Sequence, residues 1–290
     1  MNLEHRVSMI IALFLLNSCL PQIAAQSNKI EKAAEDHLRE AHGHFDAGEY
    51  QKAVVAFKKA INLKPEFASA YNDLGMTYAA MDRHDWALEA LIRAVRLKPD
   101  FAVAHYNLGS EYFQLGEFQL ALLSFERAVV INPRYAVAFN NLGATLFEMG
   151  RHQEAMEAYE KALSIRPDWA EAYRNLALAS YQVGDYKKAL INLHEALRLK
   201  PDYYEAYNNL GVLHHNRQNN REAIACLHKA ILIKPDYATA LYNLGALQLA
   251  MNDRNQALGQ YHKLKVIDPG LAAALYGGIY RGRVLELRSK

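Results

Sequence analysis

Five asparagines stand 34 residues apart in this chain: Asn107, Asn141, Asn175, Asn209 and Asn243. Asn140 and Asn208 add side rungs directly before two of them. A primary amide carries a donor and an acceptor on one plane. A row of such amides can therefore hold the N–H and C=O groups of a peptide backbone, whatever side chains that backbone bears. A second series at the same interval is mostly aromatic. It runs Phe45, Phe113, Phe147, Tyr181 and His215, interrupted at Ala79 and ended at Leu249. Rings so spaced could supply pockets for alternate side chains of the same ligand.

Other chemistries find little footing. His42 and His44 lie two apart, and His214 and His215 are adjacent. Residues at those separations do not share a helix face, whereas chelation from a helix wants a spacing of four. No metal site is expected. No glycine-rich phosphate loop, paired carboxylates or nucleophile arrangement stands out, and no cofactor is expected. Cys226 sits beside Leu227 in a packing context and reads as a buried, inert thiol. Only two cysteines occur, Cys19 and Cys226, too few for a disulfide framework.

The elements that must position the asparagines are themselves periodic. Tyr71-Asn-Asp-Leu74-Gly75 returns as His105-Tyr-Asn-Leu108-Gly109, Phe139-Asn-Asn-Leu142-Gly143, Tyr173-Arg-Asn-Leu176-Ala177, Tyr207-Asn-Asn-Leu210-Gly211 and Leu241-Tyr-Asn-Leu244-Gly245. Proline recurs at 65, 99, 133, 167, 201, 235 and 269. In the unit 136–169, Phe139, Leu142, Gly143, Leu146 and Phe147 follow the 3–4 spacing of an amphipathic helix. Gly150 stops it. Ala155, Ala158, Tyr159, Ala162 and Leu163 make a second helix, which Pro167 ends because proline lacks an N–H and clashes inside a helix. Lys64, Lys98, Arg166, Lys200 and Lys234 precede the prolines and suit the negative end of a helix dipole. Asp100, Asp168, Asp202 and Asp236 follow them and suit the start of the next helix, where aspartate is a favoured N-cap.

Small residues mark close helix approach. Ala53, Ala87, Ala121, Ala155, Ala189, Ala223 and Ala257 fill one place; Ala60, Ala94, Ala128, Ala162, Ala196 and Ala230 fill another, which ends at Leu264. Phe57, Leu91, Phe125, Tyr159, Leu193, Leu227 and Tyr261 supply the knobs. Together these residues resemble the tetratricopeptide repeat (TPR), with seven copies in register. The resemblance implies an all-α, right-handed superhelical solenoid of seven TPR helix hairpins, over 34–67, 68–101, 102–135, 136–169, 170–203, 204–237 and 238–271. Stacked repeats need capped ends. A C-terminal capping helix is expected over 272–290, frayed by Gly277, Gly278 and Gly282 because each glycine costs about 1 kcal/mol against alanine. In this family the first helix of each hairpin lines a concave groove, which would set both ladders inside it.

Residues 1–25 read as an export signal: Arg6 gives a positive start and Val7 to Leu16 an apolar core too short to span a membrane. Cleavage after Ala25 would release a soluble protein. Leu16-Asn17-Ser18-Cys19 also resembles a bacterial lipobox, which would lipidate Cys19 and tether the chain to a membrane. A periplasmic or outer-membrane location follows, with 26–33 as a short linker. Lysine plus arginine total 33 against 31 acids, a net charge of +2, which argues against a nucleic-acid partner.

These features lead to a non-catalytic adaptor that binds an extended peptide or a partner protein. Its groove is expected to comprise Asn107, Asn140, Asn141, Asn175, Asn208, Asn209, Asn243, Phe113, Phe147, Tyr181 and His215. The asparagine ladder is similar to that of O-linked N-acetylglucosamine transferases and kinesin light chains. Repeats about 10 Å apart would each meet every third residue of a ligand rising about 3.3 Å per residue. A carboxylate clamp is disfavoured, since His42, Met76, Ser110, Ala144, Leu178, Val212 and Ala246 stand where its leading asparagine would be. The alternative is an envelope assembly scaffold, similar to lipoproteins that organise pilus secretins or cell-wall hydrolases, using its ends or convex face.

Overall fold

The computed structural model describes residues 26–281 and 285–289. The export signal and Cys19 lie outside the described residues. Those described form fifteen α-helices and no strand. The chain divides into two compact units, residues 1–133 and 134–290.

The first unit holds α1 (residues 26–46), α2 (Tyr50–Leu63), α3 (Ala68–Ala79), α4 (His84–Leu97), α5 (Ala102–Gln114) and α6 (Phe118–Ile131). The second holds α7 (Ala136–Glu148), α8 (His152–Ile165), α9 (Ala170–Gln182), α10 (Tyr186–Leu199), α11 (Tyr204–Asn216), α12 (Asn220–Ile233), α13 (Ala238–Ala250), α14 (Arg254–Ile267) and α15 (Pro269–Arg281). Within each unit, odd and even helices pair as hairpins, and each even helix also packs on the odd helix that follows. Successive odd helices touch as well: α3 with α5, α7 with α9, and α9 and α13 with α11.

Sequence periodicity becomes packing at every repeat. Both alanine series are buried throughout, and Leu264 is fully buried where the second series ends. An added Cβ at Gly143 would lie 2.8 Å from the Tyr159 ring, and one at Gly109 would lie 2.9 Å from Phe125. Glycine at this place thus lets the knob of the second helix seat directly on the backbone of the first. The last repeat differs. There the Gly245 backbone faces Leu275 of α15, and Tyr261 packs instead against Tyr276, ring centroids 5.8 Å apart.

Hairpin turns require a left-handed residue. Gly150 takes φ 75° and Gly184 φ 84°, as do Gly48 and Gly116 nearby in value, whereas Asp82, Gln218 and Asn252 adopt the same region without being glycine.

Several sequence expectations change here. Residues 26–33 are helical and prolong α1 backward instead of forming a linker; no glycine or proline interrupts Gln26 to Ala33, and Glu31 pairs with Lys64 at 2.5 Å. The aspartates after the prolines do not cap. The N-cap residues are Phe101, Trp169, Tyr203 and Tyr237, with no side-chain cap, because the four-residue turn places aspartate one position too early. Side-chain caps occur at Asp185 and Asp253 on second helices, and Asp268 bonds the N–H of Leu271. Four of the cations before the prolines, Lys64, Lys98, Arg166 and Lys200, reach across the turn to the aromatic N-cap, while Lys234 lies over Tyr204. Arg166 lies 3.9 Å from the Trp169 ring centroid, and Lys200 4.6 Å from Tyr203.

The C-terminal helix starts at Pro269, not residue 272, since the missing N–H of proline costs nothing in a first turn. It runs unbroken through Gly277 and Gly278 to Arg281 and packs on α13 and α14. Gly277 and Gly278 do not interrupt it, and Gly282 lies outside the described residues. Gly278 leaves space that Leu285 and Leu249 fill. Residues 285–289, outside any helix, lie back along the first helices of the second unit, with Arg288 against Asn243 and Asn208.

Candidate functional site

The first helices of the hairpins carry the asparagines toward one another, not singly into solvent. Asn107 on α5 donates to Asn72 on α3 at 2.8 Å, and Asn72 donates to Asp73 at 2.8 Å. Asn175 on α9 donates to Asn140 on α7 at 3.2 Å, and Asn140 to Asn141 at 3.3 Å. Asn243 on α13 donates to Asn208 on α11 at 2.8 Å, and Asn208 to Asn209 at 3.5 Å. Three triads result, one in the first unit and two in the second. Each couples one odd helix to the odd helix before it.

The triads repeat every 68 residues, twice the 34-residue period. The residue before the ladder position is Asn72, Asn140 and Asn208 in alternate repeats, and Tyr106, Arg174 and Tyr242 in the others. An acceptor amide is thus present only at every second junction. Sequence reading missed Asn72 as a member, and this alternation was the signal that would have found it.

Burial sorts the predicted residues. Asn208 and Asn243 are fully buried, Asn209 is 4% exposed, and Asn107 and Asn140 are also buried. Asn141 and Asn175 are half-buried. Asn209 Nδ2 is buried without a hydrogen-bond partner. In an interior such a donor is costly unless a ligand reaches it.

The aromatic series is half-buried and closes hairpin turns. Phe113 packs on Phe118 (5.5 Å between centroids), Phe147 on His152 (4.9 Å) and Tyr181 on Tyr186 (5.6 Å). His215 Nδ1 lies 3.0 Å from Asn220 Oδ1. Of these, Tyr181 stands beside the last triad. Its hydroxyl accepts from Asn216, and burial raises its pKa.

The segment 285–289 lies across this triad. The Asn243 amide donates through Nδ2 to the carbonyl of Arg288 at 2.6 Å and accepts through Oδ1 from its N–H at 2.6 Å. Asn208 Nδ2 donates to the same carbonyl at 3.0 Å. The Arg288 guanidinium sits 5.1 Å from the Tyr242 ring centroid. Ser289 reaches a gap lined by Leu178, Tyr181, Asn209 and Val212. Leu285, Leu287 and Ser289 are half-buried while Glu286 and Arg288 are exposed, the period-two alternation of a bound strand. Nothing in the spacing of the sequence announced this segment; sequence reading assigned it to a helix.

Elsewhere the site offers less. A cavity of about 810 Å³ in the first unit lies between α2, α3 and α4, lined by Lys58, Tyr71, Trp86 and Arg93, and does not include a ladder residue. Among the described residues no group of three or more metal-ligating side chains forms. Cys226 is half-buried, and burial pushes its thiol up to about 11, so the reactive thiolate is scarce at neutral pH. Among the described residues no helix is long and apolar enough to cross a membrane.

Comparison with known proteins follows the same repeats. Family models described as "Tetratricopeptide repeat" match residues 68–101, 102–135, 134–202, 174–231 and 239–270, and one described as "TPR repeat" matches 42–82 and 215–252. No sequence match is found among curated proteins. Among solved structures, a MamA protein is 31% identical with a TM-score of 0.54, covering 59% of this chain and 93% of MamA. YrrB, described as a TPR protein with an unusual peptide-binding site, is 26% identical with a TM-score of 0.57, covering 64% of this chain and 96% of YrrB. A tetratricopeptide repeat protein from Parabacteroides merdae shares the fold at 19% identity, with a TM-score of 0.67, covering 84% of this chain and 97% of its own. The all-α TPR solenoid expected from the sequence is thereby established.

Proposed function

We propose, for a chain that belongs to the tetratricopeptide repeat family, a non-catalytic adaptor that binds an extended peptide or partner segment along its first helices. The observation that carries this reading is the grip of Asn243 on both backbone groups of Arg288. Such contacts read the main chain and leave side chains free, so affinity comes from the backbone and selectivity from the flanking pockets. The groove in this reading is similar to that of the O-linked N-acetylglucosamine transferases. The description of YrrB as having a peptide-binding site supports it. In the second unit, Asn175, Asn209 and Asn243 would be successive rungs, with Tyr181 flanking them.

The test is a peptide library screened against the full chain and against Asn141→Ala/Asn175→Ala/Asn209→Ala, a variant that leaves Asn208 and Asn243 in place. Selected peptides should bind the variant at least tenfold more weakly, with an unchanged helical circular-dichroism signal. Equal binding by both proteins would sink the reading.

Export is a companion proposal. It rests on the apolar core Val7 to Leu16 and on Leu16-Asn17-Ser18-Cys19. Intact mass of the mature protein distinguishes a lipidated Cys19 from a chain starting at Gln26; an uncleaved Met1 would refute both routes.

A further inference from the structure

We infer that residues 285–289 are an intramolecular ligand of the groove, and that the external partner is an extended segment of the same chemistry that binds by displacing them. This rests on reading the first-helix face of the second unit as a peptide-binding surface. The chemistry is aliphatic residues at alternate positions, Leu285 and Leu287, followed directly by a basic residue, Arg288.

Three observations support the assignment. First, the contacts to Arg288 are main-chain contacts, made by Asn243 and Asn208 from two successive hairpins. Any residue but proline could stand there. Second, side-chain recognition is sparse and specific: Leu285 fills the space left by Gly278, and the Arg288 cation lies over Tyr242. Third, the site is only partly filled. Asn209 Nδ2, in a side chain 4% exposed, lines the gap that Ser289 reaches, yet has no partner. A ligand placing a carbonyl there would gain a bond that 285–289 does not make. Continued by about three residues, such a ligand would also come level with Asn175 on α9, given about 3.3 Å per residue. An external ligand can therefore outbind the internal one by engaging more rungs.

The internal segment carries a cost for partners. Its short connection to α15 gives it a high effective concentration at the site, in the millimolar range for short linkers. The apparent affinity of any competitor falls by the fraction of molecules in which the site is open.

The probe is a fluorescein-labelled peptide of residues 282–290, titrated by anisotropy into the full chain, Arg288→Pro, Arg288→Ala, and Arg288→Pro/Asn243→Ala. Proline removes the N–H that Asn243 accepts; alanine keeps both backbone groups. Arg288 is exposed, and circular dichroism checks that each variant folds. Arg288→Pro should bind the peptide at least tenfold more tightly than the natural chain. Arg288→Ala should stay within about threefold of it, and the double variant should lose the gain. Equal binding by the natural chain and Arg288→Pro would overturn the inference, as would a gain that survives Asn243→Ala. If Arg288→Pro ignores this peptide yet binds library peptides through Asn175 and Asn209, the internal-ligand inference fails while the groove stands. If it binds neither, the groove reading itself fails.

Discussion

Asn243 and Arg288 lie 45 residues apart, yet one side-chain amide satisfies both main-chain groups of the other residue, each at 2.6 Å. The amide is held for this by donating also to Asn208 at 2.8 Å, and it is fully buried. Hydrogen bonds inside a protein reinforce one another, and leaving a partner unsatisfied costs more than an average bond contributes.

Asn243→Ala should therefore release residues 285–289 and lower the stability of the second unit by about 1–3 kcal/mol. Hydrogen exchange at the Arg288 amide should speed at least tenfold, while protection in α9 stays unchanged. Retained protection at Arg288 would show that the segment is held by packing alone.

Two glycine substitutions should act in opposite directions. Gly143→Ala drives a Cβ to 2.8 Å from Tyr159 and should cost about 1–3 kcal/mol by overpacking. Gly259→Ala, inside α14 with no atom within 4 Å of the new Cβ, should stabilise by about 1 kcal/mol through helix propensity. Chemical denaturation of both variants measures the pair, and the same sign for the two would refute the packing argument.

Gln218 holds φ 62° in the turn between α11 and α12. A side chain pays about 1–2 kcal/mol for that conformation, part of which glycine gives back in unfolded-state entropy. Gln218→Gly should raise stability by about 0.5–1 kcal/mol, read as a higher denaturation midpoint with an unchanged slope. A lower midpoint would mean that the glutamine side chain makes a compensating contact.

Acid should weaken the second unit through His214. Burial lowers its pKa below the usual histidine value, with Arg217 and His194 adding to the effect and Glu222 opposing it. A lowered folded-state pKa means that the unfolded chain binds the proton more readily. Stability is then level above the unfolded value near 6.5 and declines as pH falls through it toward the folded value. Thermal melts at pH 7.5 and 5.5 should show the decline, and His214→Gln should reduce it.

The hairpins were legible because most repeats declare their own packing: glycine under a knob, as at Gly109 and Gly143, alanine at the helix crossings, proline after each second helix. The caps were not. In the turn ending at Trp169, Asp168 has the chemistry of a cap but not the position, and Arg166 finds the Trp169 ring rather than serving the helix dipole alone. The ladder was legible as a series and illegible as a network. Asn107, Asn175 and Asn243 look alike at a 34-residue interval, and only the neighbours Asn72, Asn140 and Asn208 show that the bonds run in pairs of repeats. Gly278 was misread outright. A helix glycine has a propensity cost on paper, and only the fold shows Leu285 occupying the space it leaves.

The triads also give this face of the first helices a compass. Because Asn243 turns its Nδ2 toward Asn208 on α11, its carbonyl oxygen must point the other way. A strand lying there finds its N–H on the α13 side and its C=O on the α11 side, so it travels from α13 toward α9, as residues 285–289 do. A segment laid down in the opposite sense would set carbonyl against carbonyl. A peptide bound on this face, as proposed above, would be selected by heading before it met a single side chain.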